Sequence, residues 1–148
     1  MQLGAPLNLV DTTSNMSALA WAGYLDHSLV CKLLLRGKYK GRGANINLQG
    51  ADGQTPLMDA SMLGHFDVLR LLLSRGADQG LQSDDGSTAL HLAVASGDAA
   101  VVKRLCTAAG AAVALARRDA GGRTPLVLAV DIEDAACEAV LREHGAAV

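Results

Sequence analysis

The stretch GQTPLMDASMLGHFDVLRLLLSRGAD, Gly53 to Asp78, decides the fold of this chain. It opens on Thr55-Pro56, runs through a short helical phrase, turns at Gly64-His65, continues as a second helical phrase and leaves at Gly76-Ala77-Asp78. The phrase returns from Gly86 as GSTALHLAVASGDAAVVKRLC and from Gly122 as GRTPLVLAVDIEDAACEAVL, and a worn copy precedes them from Met16. Ser17, Thr55, Thr88 and Thr124 are then equivalent, with spacings of 38, 33 and 36 residues. Recurrence near 33 residues predicts a solenoid, because a unit that small cannot bury its apolar face alone and must stack on its neighbours.

Local chemistry supports two helices per unit. A threonine hydroxyl accepts from free backbone N–H groups at a helix start, and proline tolerates the first helical position because its missing donor would be unpaired there anyway. Ala60, Ala93 and Ala129 fall at one register point, where a small side chain lets helices of adjoining units approach closely. Gly64 is placed to end its helix with positive φ; Asp26 and Glu133 stand at the matching positions, where a left-handed residue other than glycine is strained. Val68, Leu69, Leu71, Leu72 and Leu73 give the second helix a wide apolar face, and Val30, Cys31, Leu33, Leu34 and Leu35 predict a buried stripe in the first copy. The repeats span about 16–49, 50–82, 83–118 and 119–148, preceded by a cap or linker over 1–15 in which Asp11, Thr12, Thr13 and Ser14 supply turn groups. The first and third copies carry longer connections, at Arg36 to Arg42 and after Cys106. Polar Glu138, Arg142, Glu143 and His144 suit a terminal helix, while Ile132, Val140 and Val148 leave room for the array to continue.

These phrases resemble the ankyrin repeat family, carried by Gly53, Thr55, Pro56, Leu57, Ala60, Gly64, His65, Val68, Leu72, Gly76, Ala77 and Asp78 and by their counterparts in the third and fourth copies. The resemblance covers about residues 16–148. It implies an all-α solenoid of about four stacked helix-turn-helix units with short β-hairpin-like fingers. It also implies a non-enzymatic module that binds a partner protein with its finger tips and the concave face of its first helices. The family's threonine–histidine pair, which ties adjacent loops, is implied only at Thr88 and His91, because the matching histidine positions hold Ala20, Met58 and Val127.

Composition excludes several other classes. A net charge of −2 lacks the basic field of a general nucleic-acid binder. Cys31, Cys106 and Cys137 have no close pairing and lie on second helices, as buried small hydrophobes of a reducing compartment. With no leader and no apolar run near the length of a membrane span, the expectation is a cytoplasmic, or nuclear, chain. No cofactor motif is present: the glycines serve turns, the His and Cys residues lack metal-finger spacing, and Asp84-Asp85 lacks the oxygen ligands of a calcium loop. No small-molecule substrate or catalytic residue is expected.

What remains is surface. Ala51, Asp52, Gln54, Asp84, Asp85, Ser87 and Arg123 fall on the fingers. Tyr24, Leu25, Met62, Leu63, Ser96, Asp131 and Ile132 close the first helices. Tyr24-Leu25 and Met62-Leu63 adjoin across two layers as an apolar patch with an acidic rim, the composition of an interface centre; the alternative is that Leu25 and Leu63 merely cover a short helix. The connection bearing Arg36, Lys38, Tyr39, Lys40 and Arg42 is the one dense basic cluster, suited to an anionic surface or to plain solvation. Three functional readings follow: a protein-interaction module, a regulatory or targeting domain of a larger enzyme or channel, and anion attachment through the basic loop.

Overall fold

In a computed structural model, which describes residues 6–36 and 43–147, the repeated phrases become antiparallel helix pairs. The first pair is α1 (Ala18–Tyr24) and α2 (Ser28–Leu34), and the second is α3 (Pro56–Leu63) and α4 (Phe66–Ser74). The third is α5 (Ala89–Ser96) and α6 (Ala99–Cys106), followed by a short extra helix, α7 (Ala111–Ala116), and the last is α8 (Pro125–Asp131) and α9 (Ala135–Glu143). First helices stack in the order α1, α3, α5, α8, and second helices in the order α2, α4, α6, α9. Ala60, Ala93 and Ala129 are fully buried at this stacking seam, as the repeat register requires.

Each first helix starts as its sequence dictates. Ser17, Thr55, Thr88 and Thr124 have extended backbones, and their hydroxyls accept from the N–H groups of Ala20, Met58, His91 and Val127. Second helices are capped differently along the array. Asp98 accepts from Ala100 and Val101, and Asp134 from Ala136 and Cys137, whereas His27 and His65 at the same register give no side-chain cap. Gly64 and Gly97 end their helices at φ 71° and 74°. Asp26 and Glu133 adopt the same left-handed turn at φ 57° and 59°, so the chain accepts the strain and keeps the turn.

The loops between repeats correct one expectation. They are not β-hairpins: among the described residues there is no strand, only an isolated bridge between Val10 and Ser17. Each loop is closed at its base by one backbone bond, from Gly50 N–H to Gln54 O (2.8 Å), Ser83 to Ser87 (2.9 Å) and Asp119 to Arg123 (2.9 Å), around a tight turn in which Gly53, Gly86 or Gly122 N–H donates back to the first of these residues. One residue beyond each closing carbonyl stands the threonine that caps the next helix, so no extended chain is left for a second rung. A glutamine amide takes the rung's place, with Gln49 Nε2 donating to Gly53 O (2.7 Å) and Gln82 Nε2 to Gly86 O (2.6 Å).

The α2 stripe is the second correction. Cys31 is buried and Leu34 and Leu35 are half-buried, but Val30 is exposed and Leu33 is 62% exposed, because α2 has a neighbouring second helix on one side alone. The longer third connection also differs from a plain loop. Its alanine-rich AAVALA segment folds as α7 and buries Ala114 against the third and fourth pairs. The first loop is built on Asp11, whose carboxylate accepts from Thr13, Ser14 and Met16 backbone N–H groups and from Trp21 Nε1 (3.0 Å). The Ser14 hydroxyl on that carboxylate, together with these donors, holds it well below the usual carboxylate range.

Two substitutions test the loop geometry. Glu133→Gly relieves a left-handed residue of a cost of about 1 kcal/mol, and the melting temperature is expected to rise by roughly 2–4 °C. Gly86→Ala is expected to lower the urea midpoint, because a Cβ there lies 2.7 Å from Ala120 N at φ +77°; an unchanged midpoint would show that the loops do not pack this closely.

Candidate functional site

The stacking of α1, α3, α5 and α8 brings most of the predicted surface residues into one strip. At the helix ends, Tyr24 and Leu25 of the first layer and Met62 and Leu63 of the second are exposed, Met62 by 36% and Leu63 by 40%. Ser96, Asp131 and Ile132 continue the same row across the third and fourth layers, all exposed. Tyr24 is fixed on two sides: its ring meets Trp21 edge-on with centroids 6.0 Å apart, and its carbonyl oxygen lies 2.9 Å from His65 Nε2. The apolar patch is therefore held across the boundary between two repeats and does not depend on either alone.

The loop tips lie at the other end of the strip, about 10 Å away along the helix axes. Ala51, Asp52, Asp84, Asp85 and Arg123 are exposed there, and Gln54 is half-buried. Ser87 is not available as a contact residue: it is buried, its N–H donates to Asp85 Oδ1 (3.0 Å) and its carbonyl closes the loop. Hydrogen bonds from the Ser83 hydroxyl and the Ser87 backbone hold Asp85 below the usual carboxylate range. Arg123 is tied to Asp119 at 2.8 Å. The rim is thus acidic, and the arginine within it is already neutralised. In the basic connection Arg36 is exposed, while Lys38, Tyr39, Lys40 and Arg42 lie outside the described residues.

Polar ties between layers hold the strip in shape. Gln49 Nε2 donates to Gln82 O and Gln82 Nε2 to Arg118 O, each at 2.8 Å, so each amide spans its own loop and the next. His91 Nδ1 accepts from Thr88 N–H (3.2 Å), and its Nε2 meets Arg123 O at 2.9 Å. The ring is consequently the neutral tautomer with the proton on Nε2, and burial lowers its pKa further. In the second repeat Met58 sulfur takes the place of Nδ1, accepting from Thr55 N–H at 3.4 Å, but it has no second donor for the next loop. The glutamines escaped the sequence reading, although their separation of 33 residues is the repeat length itself.

Midway along the strip stands Asp59, equivalent by register to Trp21, Leu92 and Leu128. It sits one helical turn before Met62 and Leu63, on the same stripe of α3, and is only 7% exposed. Burial pushes its carboxyl up to about 6. The flanking helices, ALAWAGY and ALHLAVAS, offer Tyr24 and His91 as their titratable groups and contain no cation. The three thiols are inert by comparison: burial raises Cys31 and Cys106 to about 11 and Cys137 to about 12, and all three are free. Among the described residues no cluster of His, Cys, Asp and Glu is arranged to hold a metal ion, and no helix is long and apolar enough to cross a membrane.

The family model described as ankyrin repeats (three copies) matches residues 1–83 and again 75–148. The chain belongs to the ankyrin repeat family. With that membership goes the character of the array: a non-enzymatic protein-interaction module. Among similar proteins, Rabankyrin-5 of Mus musculus is 34% identical over 101 residues, covering 67% of this chain and 8% of that protein. The inactive serine/threonine-protein kinase TEX14 of Mus musculus is 33% identical over 84 residues, or 57% of this chain and 6% of its own length. Notch-regulated ankyrin repeat-containing protein B of Danio rerio is 38% identical over 65 residues, 44% of this chain and 59% of that protein. The ankyrin array thus spans a small part of the first two relatives and under two thirds of the third.

Asp59 gives the site a pH signature. A carboxyl whose folded pKa is raised favours folding below its unfolded value and loses that contribution as pH rises through the folded one. Between about pH 4 and pH 6 the native chain is therefore expected to lose stability relative to Asp59→Leu, which places the residue of the third and fourth layers at this position. At pH 7 the variant is expected to be more stable by on the order of 2–3 kcal/mol, read from urea denaturation; parallel pH profiles would refute the buried-carboxylate assignment.

Proposed function

We propose that this array docks a segment of another protein along the concave strip of α1, α3, α5 and α8, with the loop tips as its rim. The observation that carries the reading is the exposed quartet Tyr24, Leu25, Met62 and Leu63, set side by side on two stacked layers and fixed there by the His65 bond and the Trp21 contact. Aromatic, methionine and aliphatic side chains, on a strip whose far end is bordered by acidic loop tips, have the make-up of an interface core with a polar rim. Side chains held on stacked helices lose little freedom when a partner arrives, so more of the contact energy appears as affinity. A cytoplasmic or nuclear setting belongs to the same proposal, supported by three unpaired cysteines.

A second reading draws on the relatives. Because matched regions fill only 6% and 8% of two of them, an array of this type also serves as the docking or regulatory segment of a longer polypeptide. The two readings use the same strip and differ only in whether the bound segment belongs to another chain or to the same one.

The test is affinity capture from cell extract with the native chain, with Met62→Asp/Leu63→Asp, and with Lys38→Gln/Lys40→Gln/Arg42→Gln. The strip variant is expected to lose captured protein at least about tenfold, as removal of central interface side chains does, while its helicity and melting hold. The loop variant is expected to retain capture. Loss confined to the loop variant, with steep salt dependence, would replace the strip with an anionic target; unfolding of the strip variant would show Met62 and Leu63 to be core.

A further inference from the structure

Among the four residues at its register along the strip, Trp21, Asp59, Leu92 and Leu128, Asp59 alone carries a charge. The equivalent position holds leucine in the third and fourth layers, where Leu92 is half-buried and Leu128 is almost fully buried. An aspartate in the same slot brings a charge into a place fitted to an apolar side chain, and burial disfavours its ionised form there. Its carboxylate has no ion-pair partner among the described residues: Arg70, the cation on the neighbouring α4, pairs with Asp67 at 3.6 Å, and Arg75 Nη1 donates to Leu35 O. A buried carboxylate without a counter-charge is costly, and among the described residues no side chain pairs with this one.

Resting on the docking reading above, we propose that Asp59 is the anchor point for an arginine side chain presented by the bound protein segment, with the residues flanking that arginine seated on Met62 and Leu63. Three observations select this occupant. The carboxylate lies on the apolar strip itself, beneath the place a partner would cover, so a cation bound there would be withdrawn from water together with its counter-charge. Around it the rim carries Asp52, Asp84, Asp85 and Asp131, while Arg123 is taken up by Asp119; the field over the strip therefore draws cations in. Trp21 occupies the matching position one layer away, partly exposed and steered by Asp11 and Tyr24.

Guanidinium suits this pair of neighbours better than ammonium does. It meets a carboxylate through two parallel N–H donors, lies flat against an indole face and gives up its hydration more readily. A lysine would satisfy the charge but leave the indole face and the second carboxylate oxygen poorly used. The partner is thus a segment with an arginine between apolar residues, and acidic segments are rejected by the rim.

The test pans a phage-displayed library of random dodecapeptides against the native chain, Asp59→Asn and Met62→Asp/Leu63→Asp, each first checked for native helicity and melting. Peptides enriched on the native chain are expected to share an arginine flanked by apolar residues and to shift the emission of Trp21, the one tryptophan of the chain. For a selected peptide, replacing that arginine by neutral citrulline is expected to weaken binding by about tenfold or more, and lysine by less. Against Asp59→Asn the arginine and citrulline peptides should bind alike. Enriched peptides that need Met62 and Leu63 but carry no common cation, or an equal citrulline penalty with Asp59→Asn, would overturn the arginine assignment and leave the docking strip standing. No enrichment, or enrichment indifferent to both variants, would remove the strip and the arginine site together.

Discussion

Asp84 N–H donates to Asp52 O, and Ala120 N–H donates to Asp85 O, each at 2.9 Å. These bonds between consecutive loops are the constraint on which the rest of the architecture depends. They require each loop to pass within hydrogen-bonding distance of the last, which Gly53 and Gly86 permit: a Cβ at Gly53 would meet the Asp84 backbone at 3.0 Å, and one at Gly86 the Ala120 nitrogen at 2.7 Å. Gln49, Gln82 and His91 add side-chain ties along the same line. Spacing at the loops sets spacing at the first helices, where alanines with no exposed surface complete the fit.

A stacked array of this kind gains stability from contacts between nearest neighbours, layer by layer. Its polar ties are unequal along the chain. Between the third and fourth repeats the His91 contact to Arg123 O and the backbone bond from Ala120 to Asp85 cross, and Asp98 and Asp134 cap the second helices. Between the first and second, the His65 contact to Tyr24, Arg75 to Leu35, the Asp78 N–H to Asn47 Oδ1 and Gln49 Nε2 to Gln82 O all cross. The apolar quartet lies on the boundary between the first two repeats, where the His65 contact ties the Tyr24 carbonyl to the second layer.

Much of this architecture is legible from short-range chemistry. The threonine caps, the left-handed glycines and the alanine seam each announce themselves within one repeat, and their recurrence fixes which residues are equivalent. The hairpin-like fingers that the family resemblance implies do not form because each closing carbonyl lies one residue from a helix cap; glutamine amides fill the vacant rung. Val30 and Leu33 read as core from periodicity, yet periodicity marks a stripe without saying whether a neighbouring layer covers it. Asp59 is silent for the opposite reason. Its burial comes from α1 and α5, far away in sequence, and a lone aspartate on a variable position carries no local signal. Tyr24, Leu25, Met62 and Leu63, by contrast, follow directly from register, since the same two places close every first helix.

The inter-loop bonds are open to direct observation by amide hydrogen exchange at Asp84 and Ala120. Both residues sit on exposed loop tips, where an amide facing water exchanges without protection. If the loops hold the layers in register, both amides will exchange only through opening of the repeat stack, with protection approaching that of the buried α5 amides. Exchange at the rate of a free loop amide, while α3 and α5 stay protected, would show that the helices stack without the loops and that the ordering of the first-helix strip has another origin.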